Sequence, residues 1–310
     1  MSYSLEDINF RTVSDPKGLI EEGDARYNDK VSAAADKIIA NLHTSPIVLL
    51  SGPSGSGKTT TAMKISEELH RRGIGTHYVG MDDYFKTVGA STPRLPDGSY
   101  DLESPLCMDM DLLNRHFTML TRGERIYVPK YEFARQMRSD EPGKSIRLRD
   151  DEVIIFEGIH ALNDMITEHH PEAFKLYISA RSDVTFGGKI VFKRTWFRLV
   201  RRMVRDYNFR GSDPLDTMCM WANVRRGEIS YISPFKDKAD YQFDTSFAYE
   251  LPVMSRVATE LFQTVPEGIG RFEELRQVLP ALQLFGEIDS ELIAPDALIR
   301  EFIGGGSYEY

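Results

Sequence analysis

Cysteine is scarce in this chain: Cys107 and Cys219 are the only two among its 310 residues. Two cysteines cannot build a disulfide framework, and these two lack the close spacing of metal-binding pairs. Long apolar runs are lacking as well, since no stretch approaches the roughly 18 consecutive apolar residues of a spanning helix. The acidic N-terminus has no apolar signal region. We therefore expect a cytoplasmic protein that has no membrane partner.

Basic residues are fewer than acidic ones, and the formal net charge is −9. A duplex-binding surface must present a basic face to backbone phosphates, so we expect no nucleic-acid partner. The charge is nevertheless uneven: residues 181–226 carry eleven Lys or Arg against four Asp. This stretch predicts either a local site for a polyanion or a solvated helical face.

Alternating strand and helix patterns occupy the first two thirds of the chain. Short apolar runs at 46–50, 77–81, 153–156 and 174–178 predict buried strands. Helical spacing appears at 29–42, 58–70 and 112–120, whereas the first 28 residues carry little pattern. Buried strands that alternate with helices predict a doubly wound α/β fold, with a parallel sheet and helices on both faces.

The pattern of the last third of the sequence predicts helices. We predict helices at 196–206, 215–225, 251–262 and 272–279, and no strand after about residue 195. The predicted organisation is an N-terminal extension with an amphipathic helix (1–44), a core (45–245) that includes a lid at about 185–228, and a C-terminal helical segment (246–310). The apolar faces of that segment predict packing on the core or a homo-oligomer interface.

A phosphate-binding loop is the strongest motif of the sequence. The residues Gly52-Pro-Ser-Gly-Ser-Gly57-Lys58-Thr59 follow an apolar strand and open a helix, as the mechanism of this loop requires. Its amides and the positive helix end form an anion site, in which Lys58 reaches the β- and γ-phosphates and Thr59 binds Mg²⁺. The predicted cofactors are ATP and Mg²⁺, and the predicted ATP-binding residues are Gly52, Pro53, Ser54, Gly55, Ser56, Gly57, Lys58, Thr59 and Thr60.

Two acids at predicted strand ends complete a phosphoryl-transfer site. Asp82 follows the run that ends at Met81, and Glu157 ends the run that begins at Val153. Ligands of open α/β sheets collect at this edge, so Asp82 is the candidate base and Glu157 the candidate metal ligand. Helix capping or turn formation is the alternative role of each acid. We assign no role to His160, which follows Gly158.

Several motifs together resemble those of the uridine kinase and phosphoribulokinase family of P-loop kinases, and more closely its longer bacterial branch of uridine kinase-like nucleoside kinases. They are 52–59, Met81-Asp-Asp-Tyr-Phe85, Tyr100-Asp101, Val128-Pro-Lys-Tyr-Glu-Phe133, Phe156-Glu-Gly-Ile159, Leu199-Val-Arg-Arg-Met-Val-Arg-Asp206, Phe209-Arg-Gly211, Val224-Arg-Arg-Gly-Glu228, Tyr249-Glu-Leu-Pro252 and Ile299-Arg-Glu-Phe-Ile-Gly-Gly305.

The resemblance implies roles for individual residues. Asp82 would accept the proton of a ribose 5′-hydroxyl, Glu157 would hold Mg²⁺ through water, and Asp101 would bind the sugar 2′- and 3′-hydroxyls. Further implied substrate-binding residues are Tyr131, Phe133, Gln136 and Arg138, and the implied lid arginines over the phosphates are Arg205 and Arg210. Lys58, Asp82 and these two arginines form the predicted catalytic group.

The sequence also departs from the family pattern. Phe85 and Gln136 stand where uridine-cytidine kinases have a tyrosine and a histidine that contact the pyrimidine, so the base preference stays open. Residues 187–194 form a basic insertion with two glycines, which we expect to reshape the lid.

The predicted function is ATP-dependent phosphorylation of the 5′-hydroxyl of a uridine- or cytidine-like nucleoside, by in-line phosphoryl transfer with Mg²⁺. Two alternatives stay open. The acceptor could instead be a sugar phosphate or a pantothenate-like alcohol, since the phosphate-binding loop does not specify the acceptor. The chain could also be a nucleotide-dependent regulatory switch.

Overall fold

A parallel five-stranded sheet forms the centre of the computed structural model, which describes residues 2–141, 143–266 and 272–309. In chain order the strands are β1 (Ser2–Ser4), β2 (Ile47–Ser51), β3 (Gly75–Gly80), β4 (Ile126–Tyr127), β5 (Tyr131–Glu132), β6 (Met137–Arg138), β7 (Ser145–Ile146), β8 (Glu152–Glu157), β9 (Phe174–Ser179), β10 (Asp183–Phe186), β11 (Lys189–Phe192) and β12 (Tyr241–Asp244). The α-helices are α1 (Leu5–Ser14), α2 (Pro16–Asn41), α3 (Lys58–Arg71), α4 (Met110–Thr121), α5 (Asp164–Thr167), α6 (Arg194–Arg210), α7 (Pro214–Gly227), α8 (Glu250–Gln263), α9 (Phe272–Leu282) and α10 (Arg300–Ile303).

The strand order across the central sheet is β12-β9-β2-β8-β3, and every neighbouring pair is parallel. Alternate residues of each strand enter the two hydrophobic layers. Val48 and Leu50 pack on the side of α2, α3 and α6, whereas Ile47 and Leu49 pack on the side of α4. Because both faces are covered by helices, the doubly wound α/β fold that the sequence predicts is confirmed.

The N-terminal residues are more ordered than the sequence indicated. The prediction of little pattern before Asp29 is wrong, because α2 begins at Pro16 and α1 precedes it. The Asp15 side chain caps α2 by accepting a hydrogen bond from the Gly18 amide. Gly23 weakens the apolar pattern, yet the helix requires it, since a Cβ there would lie 2.8 Å from the Tyr249 ring.

A strand also forms where we expected none. The prediction that strands end near residue 195 is wrong, because β12 pairs with the outer side of β9. This strand has only four residues, too few for its alternation to stand out between helices. Residues 187–194 cover the turn and second strand of a β10–β11 hairpin, whose first strand pairs with β1.

The predicted C-terminal helices correspond to α6, α7, α8 and α9, each slightly longer than its prediction. The closure of residues 185–228 as a lid stays a prediction. Across the described ranges 2–141, 143–266 and 272–309, no helix combines the length and apolar character that a bilayer crossing requires.

A buried ion pair ties α6 to α8. The Arg201 Nη2 atom lies 2.5 Å from Glu250 Oε2, and both side chains are fully buried. Arg201 also donates to the carbonyl oxygens of Gly55 and Thr245, so it links the phosphate-binding loop to the end of β12. Burial raises the pKa of Glu250 to about 7, although Arg201 opposes this rise.

Arg201→Met should lower the free energy of unfolding by about 3–5 kcal/mol, because it leaves a buried carboxyl without its partner. Without Arg201, the pKa of Glu250 should rise further, because the guanidinium that opposes the rise is gone. A protonated carboxyl carries no buried charge, so the loss of unfolding free energy should be smaller at about pH 5 than at about pH 8. Urea unfolding at both pH values measures this loss.

Arg256 is an exposed residue of α8, so Arg256→Met is the matched control. It should change the free energy of unfolding by less than about 0.5 kcal/mol. Equal, small losses in both variants would contradict the role of the ion pair.

Candidate active site

Three adjacent strand ends bring the predicted loop and both predicted acids to one edge of the sheet. The phosphate-binding loop follows β2, Glu157 ends β8, and Asp82 follows β3. Glu157 is aligned with Leu50 of β2 on one side and with Gly80 of β3 on the other. Parallel strands end at the same edge, so the spacing of these motifs along the chain becomes proximity in space.

The loop after β2 exposes the start of α3. Gly55 and Gly57 have φ values of 75° and 82°, which side chains with a Cβ rarely adopt. Gly57 caps α3 without a side-chain hydrogen bond, so the first helical amides rely on other partners. This positive helix end is the anion site that the motif predicts.

Lys58 and Thr59 converge on Glu157. The Thr59 hydroxyl donates to Glu157 Oε2 over 3.2 Å, and Lys58 Nζ lies 3.6 Å from Glu157 Oε1. The Tyr78 hydroxyl donates to the same carboxylate over 2.9 Å and orients it. The predicted phosphate-binding lysine and the two predicted metal ligands thus form one cluster.

This cluster fits Mg²⁺, which binds through one or two protein oxygens and completes its shell with phosphate oxygens and water. A hydroxyl and a carboxylate within hydrogen-bonding distance are suitable donors of this kind. Within the described part of the chain there is no group of three or more His, Cys, Asp or Glu that could form an all-protein metal site.

Asp82 faces the same cavity from the 3₁₀ helix Met81–Tyr84. The Asp82 residue is exposed to this cavity. Partial desolvation of its carboxyl by the nearby protein atoms, together with the charge of Glu157, raises the pKa of Asp82 to about 6, against the influence of Lys58 and Arg210. A carboxylate with this pKa is ionised near neutral pH and can accept a proton.

Positive charge on α6 faces the loop. Arg202, Arg205 and Arg210 line the cavity, and all three contact the one carboxylate of Asp206, at 3.1, 2.7 and 3.7 Å. Three cations that share one anion leave an excess of positive charge, which suits a phosphate chain. Arg202 was not among the predicted site residues, although it lies one helical turn before Arg205 and therefore on the same face.

Three aromatic side chains line the cavity. Phe85, Tyr131 and Phe133 pack edge to face, with ring centroids 5.1 to 6.4 Å apart. The whole cavity has a volume of about 360 Å³ and joins this cluster to the phosphate-binding loop. Gln136, a predicted substrate-binding residue, also lines the cavity.

Several predicted residues lie outside the cavity lining. The Asp101 carboxylate accepts hydrogen bonds from Arg226 Nη2 (2.7 Å) and the Tyr231 hydroxyl (2.9 Å). Burial alone would raise the pKa of Asp101, but these two bonds outweigh it and lower the pKa. Arg138 pairs with Asp109 at 2.9 Å. The loop residues that do not line the cavity are Gly52, Pro53, Ser56 and Thr60.

Glu103, which was not among the predicted site residues, lines the cavity two residues after Asp101. Its side chain packs on Gly227, where a Cβ would lie 2.5 Å from Glu103 Cβ. Burial raises the pKa of Glu103, with Arg202 acting in the opposite direction. His160, to which we assigned no role, is buried outside the cavity lining, and burial lowers its pKa to about 4, so its ring is neutral.

The parallel sheet, the phosphate-binding loop and the acids at its edge define a P-loop kinase, a phosphotransferase. Within this class, the model of the phosphoribulokinase / uridine kinase family matches residues 47–249. The match covers more than half of the chain, so the chain belongs to this family.

Curated relatives are named as uridine kinases. That of Erwinia tasmaniensis is 31% identical over 203 residues, which cover 64% of this chain and 86% of the relative. That of Saccharomyces cerevisiae is 27% identical and matches 68% of this chain but only 39% of its own length. Among solved structures, a candidate fructose transport system kinase from Silicibacter sp. TM1040 has a TM-score of 0.49 and 20% identity, over 69% of this chain and 98% of that chain.

Arg202→Met should weaken nucleotide binding. Arg202 Nη1 donates to the Ser54 hydroxyl over 2.8 Å, so the variant loses both a contact to the loop and a charge near the phosphates. A loss of about 1.5–3 kcal/mol corresponds to roughly 10- to 150-fold weaker binding, measurable by calorimetry.

Arg194→Met is the control, because Arg194 lies on the same helix but is mostly exposed and pairs with Asp183. An equal loss of affinity in both variants would contradict a specific role for Arg202.

Proposed function

We propose that this protein is an ATP-dependent kinase that phosphorylates the 5′-hydroxyl of a nucleoside. The observation that carries the proposal is the meeting of Lys58, Thr59 and Glu157 within 3.6 Å, with Asp82 in the same cavity. A triphosphate that enters this cavity would present its terminal phosphate between the loop and Asp82.

Positioning and charge would supply most of the catalysis. The loop amides and Lys58 would bind the β- and γ-phosphates, and the α6 arginines would stabilise the charge that spreads over the transferred group. Thr59 and Glu157 would hold Mg²⁺, which offsets phosphate charge when it is bound. Asp82 would orient the acceptor hydroxyl and accept its proton as the oxygen bonds to the γ-phosphorus, while the bond from that phosphorus to the bridging oxygen of the β-phosphate breaks and ADP leaves.

The aromatic cluster supports an acceptor with a flat ring. Phe85, Tyr131 and Phe133 line the cavity as one packed group, where a nucleobase could pack against their faces and edges. The names of the relatives are consistent with such an acceptor.

A sugar phosphate is the second candidate acceptor, and Lys86 is the observation that favours it. Lys86 is exposed and lines the same cavity, so it could pair with a phosphate carried by the acceptor. The family description also includes phosphoribulokinase. Turnover with nucleosides and with sugar phosphates distinguishes the two candidates, and turnover without any acceptor would favour a regulatory switch.

The sugar-binding acid is also open to test. The resemblance assigns this role to Asp101, but Arg226 and Tyr231 already hold its carboxylate. Glu103 faces the cavity, and among the described residues nothing donates a hydrogen bond to its carboxylate. We propose that Glu103 binds acceptor hydroxyls and that Asp101 positions Arg226.

Asp82→Asn should abolish acceptor-dependent release of ADP while it preserves nucleotide binding, because an amide cannot accept the proton. We expect a loss of about 10²- to 10⁴-fold. In the unsubstituted protein, kcat/KM should fall as the pH drops through about 6, since Asp82 becomes protonated. A coupled assay for ADP over a panel of nucleosides and other alcohols measures both effects.

Asp83→Asn is the matched control. Asp83 lies on the same 3₁₀ helix but accepts from the Tyr131 amide, so most of the activity should remain. Retained turnover in Asp82→Asn would exclude Asp82 as the base.

Glu103→Gln should raise the KM for a diol-bearing acceptor by roughly tenfold, the effect of losing about 1.4 kcal/mol of binding. The KM for ATP should hardly change, because Glu103 acts at the acceptor. Steady-state kinetics with uridine and with its 2′,3′-dideoxy analogue measures the effect, which should disappear for the analogue.

Asp101→Asn provides the comparison. If Asp101→Asn alone raises the KM in a diol-dependent way and Glu103→Gln does not, the role belongs to Asp101 as the resemblance implies.

A further inference from the structure

The C-terminal residues 296–308 run along α3, the helix that begins at the phosphate-binding loop. Asp296 Oδ2 lies 2.7 Å from Lys64 Nζ, and the Tyr308 hydroxyl donates to Glu67 over 2.7 Å. Leu298 packs directly on the loop, since a Cβ at Gly57 would lie 2.8 Å from Leu298 Cδ1. We call residues 296–303 the C-terminal strap.

One carboxylate of the strap binds the start of α3. Glu301 Oε2 accepts hydrogen bonds from the Thr60 hydroxyl at 2.6 Å and from the Thr60 amide at 3.3 Å. Thr60 is fully buried and Glu301 is only 6% exposed. The carboxylate therefore covers this end of the loop and shields it from solvent.

The Thr60 amide is one of the groups that a nucleotide needs. In a loop of this pattern, the backbone amides that lead into the helix cradle the α- and β-phosphates. Glu301 supplies negative charge to the same positive helix end that attracts phosphate. A phosphate oxygen and the Glu301 carboxylate cannot both occupy the position that accepts the hydrogen bond of the Thr60 amide. Two negative charges this close would also repel each other.

We propose that the C-terminal strap is autoinhibitory, and that Glu301 must leave Thr60 before the phosphates of a nucleotide occupy the loop. The proposal rests on the proposed nucleotide site at Gly52–Thr60. Arg210 and Glu301 line the same cavity, so Arg210 offers the displaced carboxylate a partner there. Movement of the strap then couples the C-terminus to the occupancy of the site.

Glu301→Gln tests the proposal. The amide can still accept from Thr60, so the fold should persist, but the competing charge is removed. We expect ATP with Mg²⁺ to bind roughly tenfold more tightly by calorimetry. Glu291→Gln is the control, because it removes the same charge from an exposed residue of the same C-terminal region, and its affinity should match that of the unsubstituted protein.

Hydrogen exchange of the unsubstituted protein gives a second measurement that needs no variant. ATP should accelerate exchange of the Glu301, Phe302 and Ile303 amides, which are hydrogen-bonded in the strap. The autoinhibitory role would be overturned if Glu301→Gln bound ATP no more tightly than the unsubstituted protein. It would also be overturned if ATP slowed exchange of the strap amides. The proposed function would stand in both cases. If neither protein binds ATP, both proposals fail.

Discussion

The start of α3 must be met by negative charge, and the arrangement of the site follows from this requirement. The first amides of a helix have no partner within the helix, and its dipole adds positive charge at the same end. Gly57 provides no side-chain cap. Two carboxylates bring negative charge to this end instead: Glu157 accepts a hydrogen bond from the Thr59 hydroxyl, and Glu301 accepts from both the hydroxyl and the amide of Thr60. The proposed nucleotide would bring a more strongly charged anion to this end.

The parts of the site that depend on short-range patterns could be predicted from the sequence. A loop with its glycines, a strand before it and a helix after it occupy consecutive residues, so they can be read without tertiary information. Asp82 and Glu157 could be placed because each directly follows an apolar run, and parallel strands bring such ends to one edge.

The parts that depend on distant residues could not be predicted. The direction of the Asp101 side chain is set by Arg226 and Tyr231, which belong to helical segments far along the chain. The contact of Glu301 with Thr60 joins residues that are 241 positions apart in the sequence. Arg202 is different, because its helical spacing from Arg205 was visible and could have been used.

The most direct test is a crystal structure with a non-hydrolysable ATP analogue, Mg²⁺ and a nucleoside. The account predicts that the terminal phosphate lies beside Lys58 and that an acceptor hydroxyl lies about 2.6–3.2 Å from the Asp82 carboxylate, the reach of a general base. A terminal phosphate bound where no acceptor hydroxyl can contact both it and Asp82 would contradict the central claim.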